Sequence, residues 1–173
     1  MYDSLKEQLT SVFDGIQFDI QGESRFVITA KKEAVLSILS FLKDHGYGHL
    51  GLISCVDWID EKEFEIVYIL SAYLGKDEAF TDRERINIIL KTRISREKPK
   101  LLSAIPIFDN AEPYEREIHE LFGVVFEGHP RLTPLFLERE YEIPPFRKDF
   151  DTRKYVKDVF DSVPVVEKKA VNK

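Results

Sequence analysis

An α+β domain is what this 173-residue sequence predicts: a mostly antiparallel sheet with helices on one face, followed by a proline-rich extended C-terminal arm. Three observations point there. Two segments carry apolar residues at helical spacing, while later and longer ones alternate apolar and polar residues with period two. The alternating segment 85–95 has one wet face, which suits an antiparallel sheet rather than a doubly covered parallel one. Between Phe126 and Phe150 stand Pro130, Pro134, Pro144 and Pro145, a density that forbids a regular helix or a central strand.

Taken in order, Leu5, Leu9, Val12 and Phe13 lie on one face of a first helix. Segments 17–21 and 25–30 read as short strands around a turn containing Gly22, with Phe26, Ile28 and Ala30 on a shared face. Segment 32–45 repeats Val35, Leu36, Ile38, Leu39 and Leu42, a second amphipathic helix ended near Gly46 and Gly48. Segment 49–59 is apolar on both faces and reads as a central strand. Segment 63–71 alternates Phe64, Ile66, Tyr68 and Leu70 against Glu63 and Glu65, and 85–95 sets Ile86, Ile88, Leu90 and Ile94 against Arg85, Asn87, Lys91 and Arg93. The expected division is a body over 1–125 and an arm over 126–173.

Composition narrows the function classes. Cys55 is the single cysteine beside four histidines, too few for a disulfide framework, an iron–sulfur cluster or a structural zinc site within the chain. The whole chain carries −6; residues 147–173 hold eight basic and five acidic side chains, so 1–146 carry −9. An acidic body disfavours nucleic acid. The basic tail fits an arm that docks on an acidic neighbour, or a solvated end, as expected for the last ten residues. No apolar run reaches the roughly 20 residues of a membrane span, and the first residues do not resemble a signal peptide, so a cytoplasmic chain, held at a membrane only through partners, is expected. Abundant Glu, Lys, Arg and Ile beside three Gln and three Asn lean towards a thermophilic source.

The run from Glu112 to Pro130 is the densest in information. Pro113 suits the first turn of a helix, Glu112 and Glu115 complement its positive end, and Gly123 supplies the left-handed residue that closes it. Tyr114, Ile118, Leu121 and Phe122 form its apolar stripe. Arg116 points away from the stripe, four residues from both Glu112 and Glu120, so surface ion pairs of about 0.3–0.5 kcal/mol each are expected. Glu115 and His119 stand at i, i+4, as metal ligands can, but no third ligand follows at a useful spacing. His119-Glu120 begins like a zinc-protease motif, and Gly123 occupies the place of its second histidine. Glu115 and Glu117 lie on opposite margins of the stripe, about 160° apart, too divergent to act on one bond. Their expected role is to accept backbone N–H groups or partner arginines; His129 is expected to fix its loop.

Three motifs in order, Tyr114-Glu-Arg-Glu-Ile-His-Glu-Leu-Phe-Gly123, Phe126-Glu-Gly-His-Pro130 and Phe146-Arg-Lys-Asp149, resemble the signature of the 30-kilodalton subunit (C-type subunit) family of respiratory complex I. Val56-Asp57 and Phe64-Glu-Ile-Val-Tyr-Ile-Leu-Ser71 resemble that family's body, so the likeness runs over residues 30–150. Where the respiratory pattern has Asn-Trp before the helix, this chain has Glu112-Pro113. After Asp149 the usual Pro and Gly are replaced by Phe150-Asp-Thr-Arg. Both departures, and the shortness of the chain, resemble the version found in complex-I-related membrane-bound hydrogenases.

What the resemblance implies is a peripheral-arm subunit with no cofactor of its own. It would clasp a large subunit, of quinone-site type in complex I or nickel–iron type in hydrogenases, beside the cluster-bearing small subunit. It would sit on the cytoplasmic side of the membrane without spanning it, with clusters and nickel–iron site in its partners. By the same resemblance Glu115, Arg116, Glu117, Phe122, Gly123, Gly128, His129, Pro130, Arg147, Lys148 and Asp149 are interface or fold-holding residues. The corresponding subunit of an NADH or ferredoxin:quinone complex, or of a sulfane-reducing relative, is the alternative within that class. Outside it stand a soluble assembly factor and a free-standing hydrolase built on Glu115, His119 and His129.

Overall fold

The structure, a computed structural model, describes residues 2–22, 24–74, 84–137 and 141–159. Its elements in chain order are α1 (Tyr2–Val12), β1 (Gln17–Ile20), β2 (Arg25–Thr29), a 3-10 turn (Lys32–Ala34), α2 (Val35–Asp44), β3 (His49–Trp58), β4 (Glu63–Leu74), β5 (Glu84–Ser95), β6 (Lys100–Leu102), α3 (Ala111–Phe122), β7 (Val125–Glu127) and α4 (Thr152–Val159). The α+β class is as expected, and so is the mostly antiparallel sheet. The boundary placed at 125/126 falls inside β7, and the last residues of the arm lie outside the described ones.

Five strands form one sheet in the order β1-β2-β5-β4-β3. β4 and β5 pair antiparallel from Glu63↔Ser95 to Leu74↔Glu84, and β3 pairs antiparallel with β4. β2 lies parallel to β5, because the chain crosses back under the sheet through α2 before laying down the later strands. Period two sends Phe26 and Ile28, Ile88 and Leu90, Ile66 and Tyr68 to one face. There they meet Leu5 and Leu9 of α1, Ile38, Leu39 and Leu42 of α2, and Ile118 of α3 in a single buried cluster. Each such fully buried side chain contributes about 1.5–3 kcal/mol.

The 49–59 segment corrects an expectation. It is an edge strand, not a central one; the centre of the sheet is β5. On its outer face Leu52 and Val56 remain 39% exposed. That edge is managed rather than left open. The register shifts between Leu50 and Leu52, a bulge at Gly51, and α3 lies against the strand there. The Tyr114 hydroxyl donates to the Gly51 carbonyl at 2.9 Å and the Asn110 side-chain amide to the Leu50 carbonyl at 2.8 Å. Two carbonyls of the bulged edge thus find donors on the helix and its N-cap.

The opposite face of the sheet carries an apolar row, Leu52, Ile69, Ile89 and Val27, registered across four strands. Beside it runs an ion ladder, in which Glu65 meets Lys91 at 3.6 Å and Arg93 at 3.0 Å, while Arg93 also reaches Glu63 and covers the Trp58 ring at 4.6 Å. Among the described residues no helix is long and apolar enough to cross a membrane.

Candidate interaction interface

Helix α3 and the chain that returns over it bring most of the singled-out residues together. The helix begins without a side-chain cap, and the Asn110 side-chain NH2 donates to β3. Its other end is closed as predicted. Gly123 adopts φ +79° and its N–H returns to the His119 carbonyl at 2.8 Å. A Cβ there would stand 3.1 Å from Pro144 Cγ, so the arm crosses the helix end at a distance that suits glycine. His119 donates through Nδ1 to the Val124 carbonyl at 2.8 Å, adding a side-chain closure.

Glu115 is fully buried. Its Oε2 accepts the Ser103 hydroxyl at 2.7 Å and its Oε1 the Ala104 N–H at 2.6 Å, tying α3 to the segment after β6. Burial pushes its pKa up to about 7, against the pull of the Ala104 and Ser103 hydrogen bonds. Burial, and then the charge of Glu115, also push the Tyr68 phenol upward. The Tyr68 and Thr92 hydroxyls, both buried, have no hydrogen-bond partner among the described residues. Both Glu115 oxygens and His119 Nδ1 thus have partners within the chain. Among the described residues no cluster of three His, Cys, Asp or Glu could hold a metal ion.

The solvent side of α3 works as a clamp on the main chain. Arg116 pairs with Glu112 at 3.3 Å as its spacing predicts, but its other nitrogens donate to the carbonyls of Thr133 (3.1 Å) and Pro134 (2.9 Å). The expected Arg116–Glu120 pair does not form. Glu120 turns instead to the amides of Leu135 (3.1 Å), Phe136 (3.0 Å) and Leu137 (2.6 Å). Cation serves carbonyls and carboxylate serves amides, so residues 133–137 are held through their backbone. Gly128, at φ +88°, turns the chain into this arm. His129 Nδ1 accepts the Arg131 N–H at 3.0 Å and Nε2 donates to the Glu112 carbonyl at 3.3 Å, so it fixes its loop. Pro130 is exposed beside it.

The second motif, Phe146 to Asp149, is seated on the body. Phe122 stands edge-on between Phe64 and Phe146, at 5.9 and 6.0 Å between ring centroids, and the Phe146 N–H reaches the Leu121 carbonyl at 3.0 Å. Arg147 lies over the Phe64 ring at 5.4 Å. The Lys148 N–H donates to Asp57 at 2.8 Å. Arg96 binds Asp57 through Nε at 2.8 Å and Nη2 at 3.1 Å, and Asp149 at 2.6 and 3.1 Å. Burial alone would raise the Asp57 carboxyl; the Arg96 bonds and the Lys148 amide outweigh it and hold it below the usual carboxylate range. Glu117 differs from all of these: it is half-buried and meets no hydrogen-bond or ionic partner among the described residues.

Asp57, Arg96, Ser103 and Glu120 were not singled out from the sequence as site residues. Asp57 carried a signal, since it falls in the inward phase of β3 with Ile53 and Cys55, where a charge demands a cation. Ser103 and Glu120 carried none, because their partners are backbone groups distant in sequence.

Three outcomes follow. Arg96→Ala leaves the Asp57 carboxylate uncompensated and lowers the unfolding free energy by about 3–5 kcal/mol in urea titration, more than the double change Asp57→Asn with Arg96→Met. The folded-state pKa of Glu115 lies above its unfolded value. Its contribution is therefore complete below the ordinary Glu range and shrinks as pH rises to about 7. Glu115→Gln should remove a pH-dependent loss on the order of 3 kcal/mol, read as a flattened stability profile between pH 4.5 and 7.5. Glu120→Ala should speed amide exchange at Leu135, Phe136 and Leu137 by about tenfold or more while β4 and β5 stay protected.

The family described as respiratory-chain NADH dehydrogenase, 30 Kd subunit, matches residues 28–156. The C-type subunit of the F(420)H(2) dehydrogenase of Methanosarcina mazei is 32% identical over 149 residues, covering 84% of this chain and 89% of that protein. The C/D-type subunit of the NADH-quinone oxidoreductase of Photorhabdus laumondii is 33% identical over 147 residues; the match covers 78% of this chain and only 23% of that longer relative. Among solved structures, a chain of the membrane-bound sulfane sulfur reductase, an archaeal respiratory membrane complex, superposes with TM-score 0.80 at 25% identity, covering 99% of this chain and 98% of the other. A trypsin-resistant fragment of Nqo5 shares the fold at TM-score 0.60 and 23% identity, covering 76% of this chain and 98% of the fragment. The chain belongs to the 30-kilodalton subunit family of the respiratory-chain NADH dehydrogenase.

Proposed function

We propose that this chain is a cofactor-free structural subunit in the peripheral arm of a complex-I-like membrane-bound oxidoreductase. In this reading it clasps the large catalytic subunit beside the iron–sulfur small subunit, on the cytoplasmic side of the membrane. The observation that carries it is the whole-length likeness to one chain of a respiratory membrane complex. The chemistry of the residues agrees. Cys55 is buried on the inner face of β3, where burial and then the charge of Asp57 push its thiol up to about 12, so it stays protonated and makes a poor thiolate ligand. The motif residues Glu115, Arg116, His129 and Asp149 spend their polar groups on this chain's own backbone and side chains. What they shape is a surface: unpaired Glu117, exposed Pro130 and Lys148, and the large apolar Phe136 and Phe146, 68% and 61% exposed.

For the assembly as a whole, Glu112-Pro113 and the residues after Asp149 support a nickel–iron hydrogenase, with the metal and the clusters in partner chains. The likeness to the sulfane sulfur reductase chain favours a second reading, a sulfane-reducing relative. Detergent extraction through a tag on this chain, followed by mass spectrometry and metal analysis, tests both. Large and small subunits should appear stoichiometrically, with iron following the small subunit; bound nickel selects the first reading and its absence from an active assembly the second. Glu117→Arg should release the large subunit while the chain stays folded. A chain that purifies alone from its native membranes, or that holds iron by itself, overturns the proposal.

A further inference from the structure

Outside the α3 clamp, the described residues form a second concave feature. A cleft of about 370 Å3 opens between the segment around Tyr141–Ile143 and helix α4. Tyr141, Phe150 and Tyr155 wall it with three rings in mutual contact, at 5.0 Å (Tyr141–Tyr155), 5.6 Å (Phe150–Tyr155) and 5.9 Å (Tyr141–Phe150) between centroids. Its rim is acidic. Glu142, Asp151 and Asp158 stand against Lys154 alone, once Asp149 is set aside as the partner of Arg96 and Arg147. Asp151 accepts the Arg153 and Lys154 N–H groups and so caps α4 without losing its charge. Glu142 and Asp158 have no ionic partner among the described residues.

Aromatic faces beside surplus carboxylates select a cation, and within that class a planar one. A guanidinium stacks on a ring and meets a carboxylate in a fork, whereas an ammonium holds its water more tightly. We propose that this cleft seats an arginine side chain from a neighbouring subunit, a second point of grip separate from α3. The proposal rests on the reading of the chain as a subunit of a larger assembly. The charge of the cleft excludes phosphate-bearing ligands, and its apolar wall distinguishes it from a merely solvated acidic rim.

The test uses the full chain in its detergent-solubilised assembly, with p-benzoylphenylalanine in place of Ile143, a 39% exposed residue at the cleft. Irradiation should join this chain to an arginine-containing segment of another subunit. The yield should fall about tenfold when Glu142→Lys and Asp158→Lys are combined, and also in Tyr155→Leu, which keeps every charge and removes a ring. Tyr155→Phe should retain it. Co-purification of the assembly without any cross-link to another chain overturns the cleft and leaves the proposed function standing. A cross-link confined to this chain or to an arginine-free segment, or one indifferent to the charge reversals, overturns it as well. Failure to co-purify with any partner removes both.

Discussion

Asp57 brings a carboxylate into a place where 4% of the residue meets solvent, and two separated parts of the chain converge on it. Arg96 follows β5, Lys148 lies in the returning arm, and Asp149 is reached only through Arg96. A lone charge in that position would cost several kcal/mol. The guanidinium and the main-chain amide turn that cost into a requirement that sheet edge, strand end and arm be present together. Phe64 lies under both Arg96 and Arg147, at 5.7 and 5.4 Å, so the polar knot sits on an aromatic floor continuous with Phe122 and Phe146. Body and arm meet across this contact.

Glu115 meets the same problem with neutral donors. One hydroxyl and one amide satisfy its lone pairs without supplying a countercharge, so desolvation wins and its pKa rises, while that of Asp57 falls. The two carboxylates therefore respond to pH in opposite senses. Asp57 gives up its contribution as pH drops through the acid range, whereas Glu115 is more comfortable when protonated. Neither faces solvent, which is why neither resembles a general acid or base poised over a substrate.

Much of this was legible in the sequence, and the boundary of legibility has a physical cause. Helical and strand periodicity placed α1, α2, β4 and β5, because each buries one face and the pattern records that face. Pro113 and Gly123 marked the ends of α3 for local reasons of backbone geometry. The 49–59 segment misled because apolar residues on two faces describe a doubly covered strand and also an edge whose outer face awaits something else. The parallel β2–β5 pairing, the short β6 and β7 and helix α4 depend on distant partners or on too few residues for a period to show. Arg116 and Glu120 looked like an i, i+4 ion pair; each found a better partner in main-chain groups, 18 residues onward for Arg116 and 17 for Glu120, which no local pattern encodes.

The clamp on the arm has a consequence for how such a subunit can change. Because Arg116 and Glu120 hold peptide groups and leave the side chains of 133–137 unread, the path of that segment is specified independently of what it displays. Phe136 projects from a tether that any residue with an amide and a carbonyl would satisfy. The molecule thus separates the job of carrying a display from the content displayed, and one scaffold can be refitted to different neighbours by exchanging a few outward residues.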